Sequence, residues 1–535
     1  MAAALCFSMP ACGAAFTAQS NVDVSAVWVS DRGDGTYTNP VIFADYSDPD
    51  VIRVGEDFYL TASSFSSMPG LPILHSLDLV NWTIIGHAFE NYPFEQFATP
   101  QPGCGVWAPG IRYHDGEFYI YFGDPDNGIF MTKARSATGP WTRLLRVKQS
   151  KGWIDPCPFW DDDGKAYLIH AWAKSRSGIN SILTINQMSA DGTKLLDDDS
   201  LVIDGRNGKY PTLEGPKLYK RNGYYYIFAP AGGVTAGYQL VFRSKNIYGP
   251  YEGRNVLAQG RTPINGPHQG AWVELPSGES WFIHFQDRGA FGRVTLLEPM
   301  KWVDDWPVIG SDPDGTNRGE PVLAHKKPDV GKAHPVAVPE TSDEFDAPTL
   351  GKQWQWAANF HHEWYSLSAK PGWLRLFAVP KPVGAKNLVS VPNVILQKLP
   401  APEFTATTRL DLDHLAAGDT AGLVVLGGNH SFAAIERRGT GLQLIRVSGD
   451  PATEDTPECE VPWVNNSIYL RVRVGPGAFC QFSYSADGRQ FSAWGKPFLA
   501  QPGGWAGARV GLFCLAPDGA KQTGYTDVDW FRLEK

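Results

Sequence analysis

One short pattern returns five times along the first part of this chain: a lead residue, a small or hydrophobic stretch with Pro or Gly, a turn containing Gly, then an aromatic-rich strand. The copies read DPDVIRVGEDFYL from Asp48, APGIRYHDGEFYIYF from Ala108, DPCPFWDDDGKAYLIH from Asp155, EGPKLYKRNGYYYIF from Glu214 and HQGAWVELPSGESWFIHF from His268. Successive leads lie 60, 47, 59 and 54 residues apart, room for four strands and their loops in each copy. A unit of that length repeated in tandem marks a closed ring of small sheets, each copy one blade. Equivalent positions in successive blades then face one axis. The repeat predicts a five-bladed β-propeller over residues 30–324, with three carboxylic acids and an imidazole meeting near its centre. An ordinary core does not tolerate that desolvation, so the meeting point is the expected site of function.

Between the copies, strands of four to eight residues rich in Tyr, Phe, Trp, Ile and Val alternate with Gly, Asp-Gly and Asn-Gly turns, and helical periodicity is almost absent. Residues 325–341, HKKPDVGKAHPVAVPET, are rich in Pro and Lys and read as a linker. From Ser342 to residue 535 a second alternating pattern, with WLRLFAV, FTATTRLDLD, IYLRVRVG and a closing TDVDWFRLEK, suits a two-sheet β-sandwich. The fold class is therefore all-β throughout. The chain's 535 residues are ample for two domains.

The net charge of −9 argues against a nucleic-acid partner, which needs a basic surface to displace counterions. Aromatic residues make up 13% of the chain, including 19 Trp, and serve either sheet packing or stacking against the apolar faces of sugar rings. The seven Cys show no CxxC pair and no zinc spacing; Cys480 and Cys514 are read either as a pair within the sandwich or as buried free thiols. Residues 1–20, apolar, small and without a basic residue, resemble a signal-peptide remnant, which points to a secreted or periplasmic protein and otherwise to a cytoplasmic one. No uninterrupted apolar run long enough to span a membrane follows.

An Asp before Pro is usually a turn starter, but Asp-Pro recurs at 48 and 155, and Glu-Gly-Pro takes a similar place at 214. Two carboxylates flanking one bond are the minimum equipment for glycoside hydrolysis, one protonating the leaving oxygen and the other activating water or attacking carbon. A third acid close by raises the pKa of the proton donor and keeps it charged with its proton. His268 is read either as a packing group or as an axial group for a cation or ordered water. Ala108 leaves a gap beside Trp107 of the size a sugar ring needs.

The segments TNPVIFADYSDPDVIRVGEDFYLTASSF, VWAPGIRYHDGEFYIYFGDPD, WIDPCPFWDDDGKAYL, EGPKLYKRNGYYYIFAPAGG, NGPHQGAWV and WFIHFQDRGAFGRV, in this order, closely resemble glycoside hydrolase family 43, the five-bladed propeller β-xylosidases and α-L-arabinofuranosidases. The resemblance covers about 37 to 310 and continues through WQW at 354–356 and DVDWFRLE into that family's C-terminal jelly-roll, concanavalin-like sandwich. It implies an inverting hydrolase with Asp48 as general base, Glu214 as general acid and Asp155 tuning and orienting the acid. It also implies that Phe65, Trp107 and Ala108 line the sugar pocket and that Arg288 reaches the sugar. The resemblance also implies calcium or another cation on the axis near His268, held mostly through water, with a second site drawing on Glu344 and Asp529, and no organic cofactor. The segment Ala-Pro-Ala-Gly-Gly-Val at 229–234 departs from the Glu-Gly-Gly-Thr of many xylosidases of the family. The expected activity is exo-cleavage of terminal β-D-xylose, terminal α-L-arabinofuranose, or both, from xylooligosaccharides and arabinoxylan. The sandwich or the loop HHEWY at 361–365 is expected to wall the pocket. The alternative is a propeller that binds carbohydrate without catalysis.

Overall fold

The computed structural model describes residues 27–521 and 523–535, so the signal-like segment, with Cys6 and Cys12, lies outside the described residues. Five antiparallel four-stranded sheets follow one another in strict chain order, each sheet built from four consecutive strands. The first strand of each blade starts at the repeat: Asp50–Val54, Trp107–His114, Trp153–Trp160, Lys217–Arg221 and His268–Glu274. Tight hairpins set the register from the turn outward. In blade 2 Asp115 and Gly116 have φ of 46° and 77°, and in blade 4 Asn222 and Gly223 have 49° and 75°. Two successive positive φ values are what a two-residue hairpin on right-twisted strands requires, which is why Asp-Gly and Asn-Gly stand there.

The aromatic excess goes into the seams between blades. Tyr119, Tyr121 and Met131 of blade 2 pack on Trp153, Leu168 and Met188 of blade 3, and Tyr226 and Phe228 of blade 4 pack on Phe282, Met300 and Trp306 of blade 5. Each such buried side chain contributes ~1.5–3 kcal/mol relative to exposure. The ring closes where blade 1 meets blade 5. Thr36–Thr38 pairs antiparallel with Ala324–Lys326, and the Asn39 side chain donates to the carbonyls of Leu297 (2.9 Å) and Val322 (2.8 Å).

The second domain is a sandwich of a seven-stranded and an eight-stranded sheet, and the closing strand Tyr525–Glu534 lies inside the seven-stranded one. Cys480 and Cys514 are both buried free thiols, so the pairing is not made. The segment 325–341 is tied down: Lys327 pairs with Asp31 (2.6 Å) and Asp78 (2.8 Å), and the Ala337 N–H donates to Asn81 (3.0 Å).

The sandwich is fastened to blades 1 and 2. Met68 and Trp356 exchange backbone hydrogen bonds of 3.0 and 2.6 Å, and the side chain of Asn359 reaches the backbone of Tyr92 in both directions, 2.8 Å each way. One hydrophobic cluster runs without a break from Met68, Leu71 and Phe97 of the propeller to Trp356, Ile395 and Val510 of the sandwich. That continuity fixes what the second domain places over the propeller axis.

Candidate active site

In three blades the lead residue has a left-handed backbone: Asp48, Ala108 and Asp155 have φ of 55°, 30° and 56°. In blades 4 and 5 the left-handed residue is one position later, Gly215 (61°) and Gln269 (38°). The pairing registers jump at the same places, between Trp107 and Gly110, Ile154 and Cys157, and His268 and Ala271. Each jump is a bulge in which two residues oppose one. The structural equivalents of Asp48 are therefore Ala108, Asp155, Gly215 and Gln269. Glu214 and His268 stand one residue ahead, level with Trp107 and Ile154. Pro49, Pro109, Pro156 and Pro216 mark this register in the sequence, whereas matching charged residues by type shifts the last two blades by one.

The bulges feed a cavity of about 260 Å³ lined by Asp48, Phe65, Trp107, Ala108, Ile154, Asp155, Thr212, Glu214, Gly233, Val234, Gln269, Arg293 and Trp505. All three expected carboxylates meet there, and so do Phe65, Trp107 and Ala108. A second cavity of about 50 Å³, between blade 1, the linker and the sandwich, holds none of them.

Asp48 is buried and held by both oxygens: Ser63 Oγ donates to Oδ2 at 2.7 Å and Arg293 Nη1 to Oδ1 at 2.7 Å. Ser63 Oγ in turn accepts the Ala108 N–H at 2.7 Å, which ties blade 1 to blade 2 at the carboxylate. Burial opposes the Arg293 charge, but Asp48 and Asp45 beside it hold the guanidinium above its ordinary pKa. Asp155 Oδ2 accepts the Gly215 N–H at 2.7 Å, so it grips the peptide that follows Glu214.

Glu214 leaves a quarter of its side chain open to the cavity. Burial first, and the Asp155 charge second, push its carboxyl up to about 8. Asp155 is likewise raised to about 7, by burial and then by Asp48. The buried cation Lys217, whose Nζ donates to the Pro109 carbonyl at 2.9 Å, works in the opposite direction on Asp155.

Several polar atoms at this cavity have no partner in the protein: Trp107 Nε1, Gln269 Nε2 and Arg293 Nε. Buried polar groups are almost always paired, so three unpaired donors on residues lining one cavity set this region apart from the rest of the core. Gln269, Arg293 and Trp505 are cavity residues that sequence reading missed. The first is concealed by the one-residue shift, the second by the choice of Arg288 five positions earlier, and the third by its place in the other domain.

Arg288 does not line the cavity. It precedes a 3₁₀ turn at Gly289–Phe291 and lies 5.7 Å over the Phe43 ring. His361–Tyr365 is also elsewhere: Trp364 and Tyr365 pack on Trp356, 5.5 and 5.8 Å between ring centroids. The sandwich does supply a wall, through Trp505, which stands edge-on to Trp107 at 6.1 Å and 5.9 Å from the Arg293 guanidinium.

The two carboxylates expected at a second calcium site do not fit that ion. Glu344 is bound by Arg532 through two hydrogen bonds of 2.6 and 2.7 Å, and Asp529 by Arg409 at 2.6 Å. His268 has both ring nitrogens unpaired, and burial and Arg293 keep it neutral by lowering its pKa to about 3. Its Nε2 lies 3.4 Å from Glu214 Oε1. A neutral imidazole suits an ordered water or a place beside a hydrated cation. Among the described residues no three His, Cys, Asp or Glu side chains converge as a metal-binding group. Among the same residues no helix is long and apolar enough to cross a membrane.

Residues 37–307 match the family described as Glycosyl hydrolases family 43, and residues 342–534 match the Beta xylosidase C-terminal Concanavalin A-like domain. The chain belongs to glycoside hydrolase family 43. It is 40% identical over 498 residues to a protein of Xylanibacter ruminicola, covering 92% of this chain and 89% of the relative. A beta-xylosidase of Formosa agariphila is 35% identical, with 94% and 91% covered, and a non-reducing end alpha-L-arabinofuranosidase of Bacteroides ovatus is 30% identical, with 93% and 94% covered. The solved structure of a family 43 protein of Bacillus licheniformis superposes with a TM-score of 0.81 at 29% identity, covering 93% of this chain and 99% of that one. This family 43 enzyme is thus a glycoside hydrolase of the β-xylosidase and α-L-arabinofuranosidase group, a propeller followed by a concanavalin-like sandwich.

Proposed function

We propose that this family 43 enzyme is an exo-acting, inverting hydrolase that removes terminal β-D-xylose, terminal α-L-arabinofuranose, or both, from xylooligosaccharides and arabinoxylan. The observation that carries this reading is one cavity shared by three carboxylates, with Arg293 on Asp48 and Trp505 from the second domain beside them. Asp48, fixed by Ser63 and Arg293, is suited to take a proton from water. Glu214, raised to about 8, still holds its proton at neutral pH and is suited to give it to the leaving oxygen. Asp155 keeps that proton in place by its charge and orients the donor through the Gly215 peptide.

The two carboxyls of an inverting site stand about 6.5–9.5 Å apart, enough for the attacking water between base and sugar. Trp505 and Trp107 close one side, which favours chain ends over internal bonds. Gly233 and Val234, in the segment that departs from many xylosidases, reach the same cavity and are suited to grade xylose against arabinofuranose.

The test compares wild type with Glu214→Ala on p-nitrophenyl β-D-xyloside, p-nitrophenyl α-L-arabinofuranoside and xylotriose, with the first-formed anomer read by proton NMR. Release of single sugars from chain ends with inverted configuration, lost on xylotriose in the variant and reduced less on the aryl glycosides, is the expected result. Binding of xylotriose by the wild type without hydrolysis of any of the three would instead support a binding propeller.

A further inference from the structure

Three residues before the base, Asp45 is a buried carboxylate outside the catalytic cavity, and its hydrogen bonds reach two separate parts of the site. Its Oδ1 accepts the backbone N–H of Arg293 at 2.9 Å and the Ser47 hydroxyl at 2.8 Å. Its Oδ2 accepts the backbone N–H of Gly507 at 2.8 Å. Arg293 carries the guanidinium that holds Asp48, and Gly507 belongs to the sandwich loop that carries Trp505. A single carboxylate therefore lies between the strand that orients the base and the loop that walls the pocket.

The surroundings leave the loop little freedom. The Ala508 N–H donates to the Ala290 carbonyl at 2.7 Å, and Arg509 bonds Ser67. A Cβ on Gly507 would come 2.6 Å from the Gly292 nitrogen, and a Cβ on Gly292, whose φ is 73°, would come 2.4 Å from Asp45 Cγ. Two glycines let the backbones of both domains approach Asp45 closely. A carboxylate accepts on both oxygens at once, whereas an amide in the same place turns one acceptor into a donor.

We propose that Asp45 is a positioning residue that couples docking of the Trp505 loop to placement of Arg293 on the catalytic base. The sandwich then acts as part of the catalytic assembly. The proposal rests on the reading of Trp505 as a wall of the substrate pocket.

The experiment is a double-mutant cycle of Asp45→Asn and Trp505→Ala, with KM and kcat on xylotriose and Tm for each variant. Trp505→Ala is expected to raise KM about tenfold, and Asp45→Asn by a similar factor, since a hydrogen bond to a charged acceptor is worth about that much. Adding Asp45→Asn to Trp505→Ala is expected to raise KM less than about twofold further, while kcat still falls through Arg293. KM factors that multiply would overturn the coupling and leave the wall reading intact. Unchanged KM and kcat in a folded Asp45→Asn variant would also overturn it. A Trp505→Ala variant with wild-type KM would refute the wall and the proposal together. If Asp45→Asn does not fold, Asp45→Ser, whose hydroxyl accepts from one side only, takes its place, and the same non-additive KM with Trp505→Ala is required.

Discussion

The sharpest prediction concerns Asp155→Asn. Asp155 sits at φ 56°, a backbone region that Asn tolerates about as well as Asp, and an Asn Oδ1 still accepts the Gly215 N–H. The substitution therefore removes the charge and keeps the fold and the grip on the Glu214 peptide. Two like charges on carboxyls that share one small cavity repel by ~3 kcal/mol at an effective dielectric of about 20, a ceiling of about two pH units on the neighbouring acid. Asp155 is itself raised to about 7 and only part-ionised near neutrality, so we expect about one unit.

The sign follows from the donor's role. Glu214 works protonated, so activity is present below its raised pKa and is lost as pH rises through about 8. Without the Asp155 charge the proton leaves earlier, and the alkaline limb moves to lower pH. The assay is the pH dependence of kcat/KM on xylotriose, which reports the free enzyme. An aryl glycoside is a poor choice, because its good leaving group needs less help from the acid. An alkaline limb that stays in place, with kcat lowered at every pH, would show that Asp155 orients Glu214 without tuning it. A limb displaced upward would refute the electrostatic reasoning.

Other outcomes follow from the same geometry. Glu214→Gln should lower kcat on xylotriose by ~10²–10⁴-fold and lower it less on p-nitrophenyl xyloside, where little proton donation is needed; equal losses on both would argue against Glu214 as the acid. Ser63→Ala leaves the buried Ala108 N–H without its acceptor and frees one oxygen of Asp48, so stability measured by urea unfolding should fall by ~1–3 kcal/mol and kcat/KM should fall with it. Arg293→Lys replaces a planar fork with a point charge beside Asp48 and should reduce kcat/KM by ~10-fold or more with Tm little changed; retention of wild-type activity would remove Arg293 from the site.

Much of this protein was legible before any coordinate. Five repeats with Asp-Gly and Asn-Gly turns fix a five-bladed ring, because a four-stranded unit that cannot bury both faces alone must stack on its neighbours. Asp48, Asp155 and Glu214 stood out because charged residues recurring at one position of a repeat converge wherever the ring closes. The bulges were less legible. Asp48, Asp155 and Glu214 look interchangeable as leads, yet φ shows Glu214 standing one residue before its blade's left-handed position, and only Pro216 hinted at that.

Residues that act across large sequence distances were hidden for a physical reason: a contact between positions 45 and 507 leaves no local pattern of periodicity or spacing. Arg288 and Arg293 are equally plausible cations in a sequence, and the packing of Arg288 over Phe43 against the reach of Arg293 to Asp48 decides between them. The sequence alone determined the blades, the sandwich and the three acids, since these rest on short-range turns and tandem repetition. The tertiary structure alone decided which cation holds the base, that Glu344 and Asp529 serve arginines, and that the second domain reaches the pocket with Trp505, since each depends on how distant backbones dock.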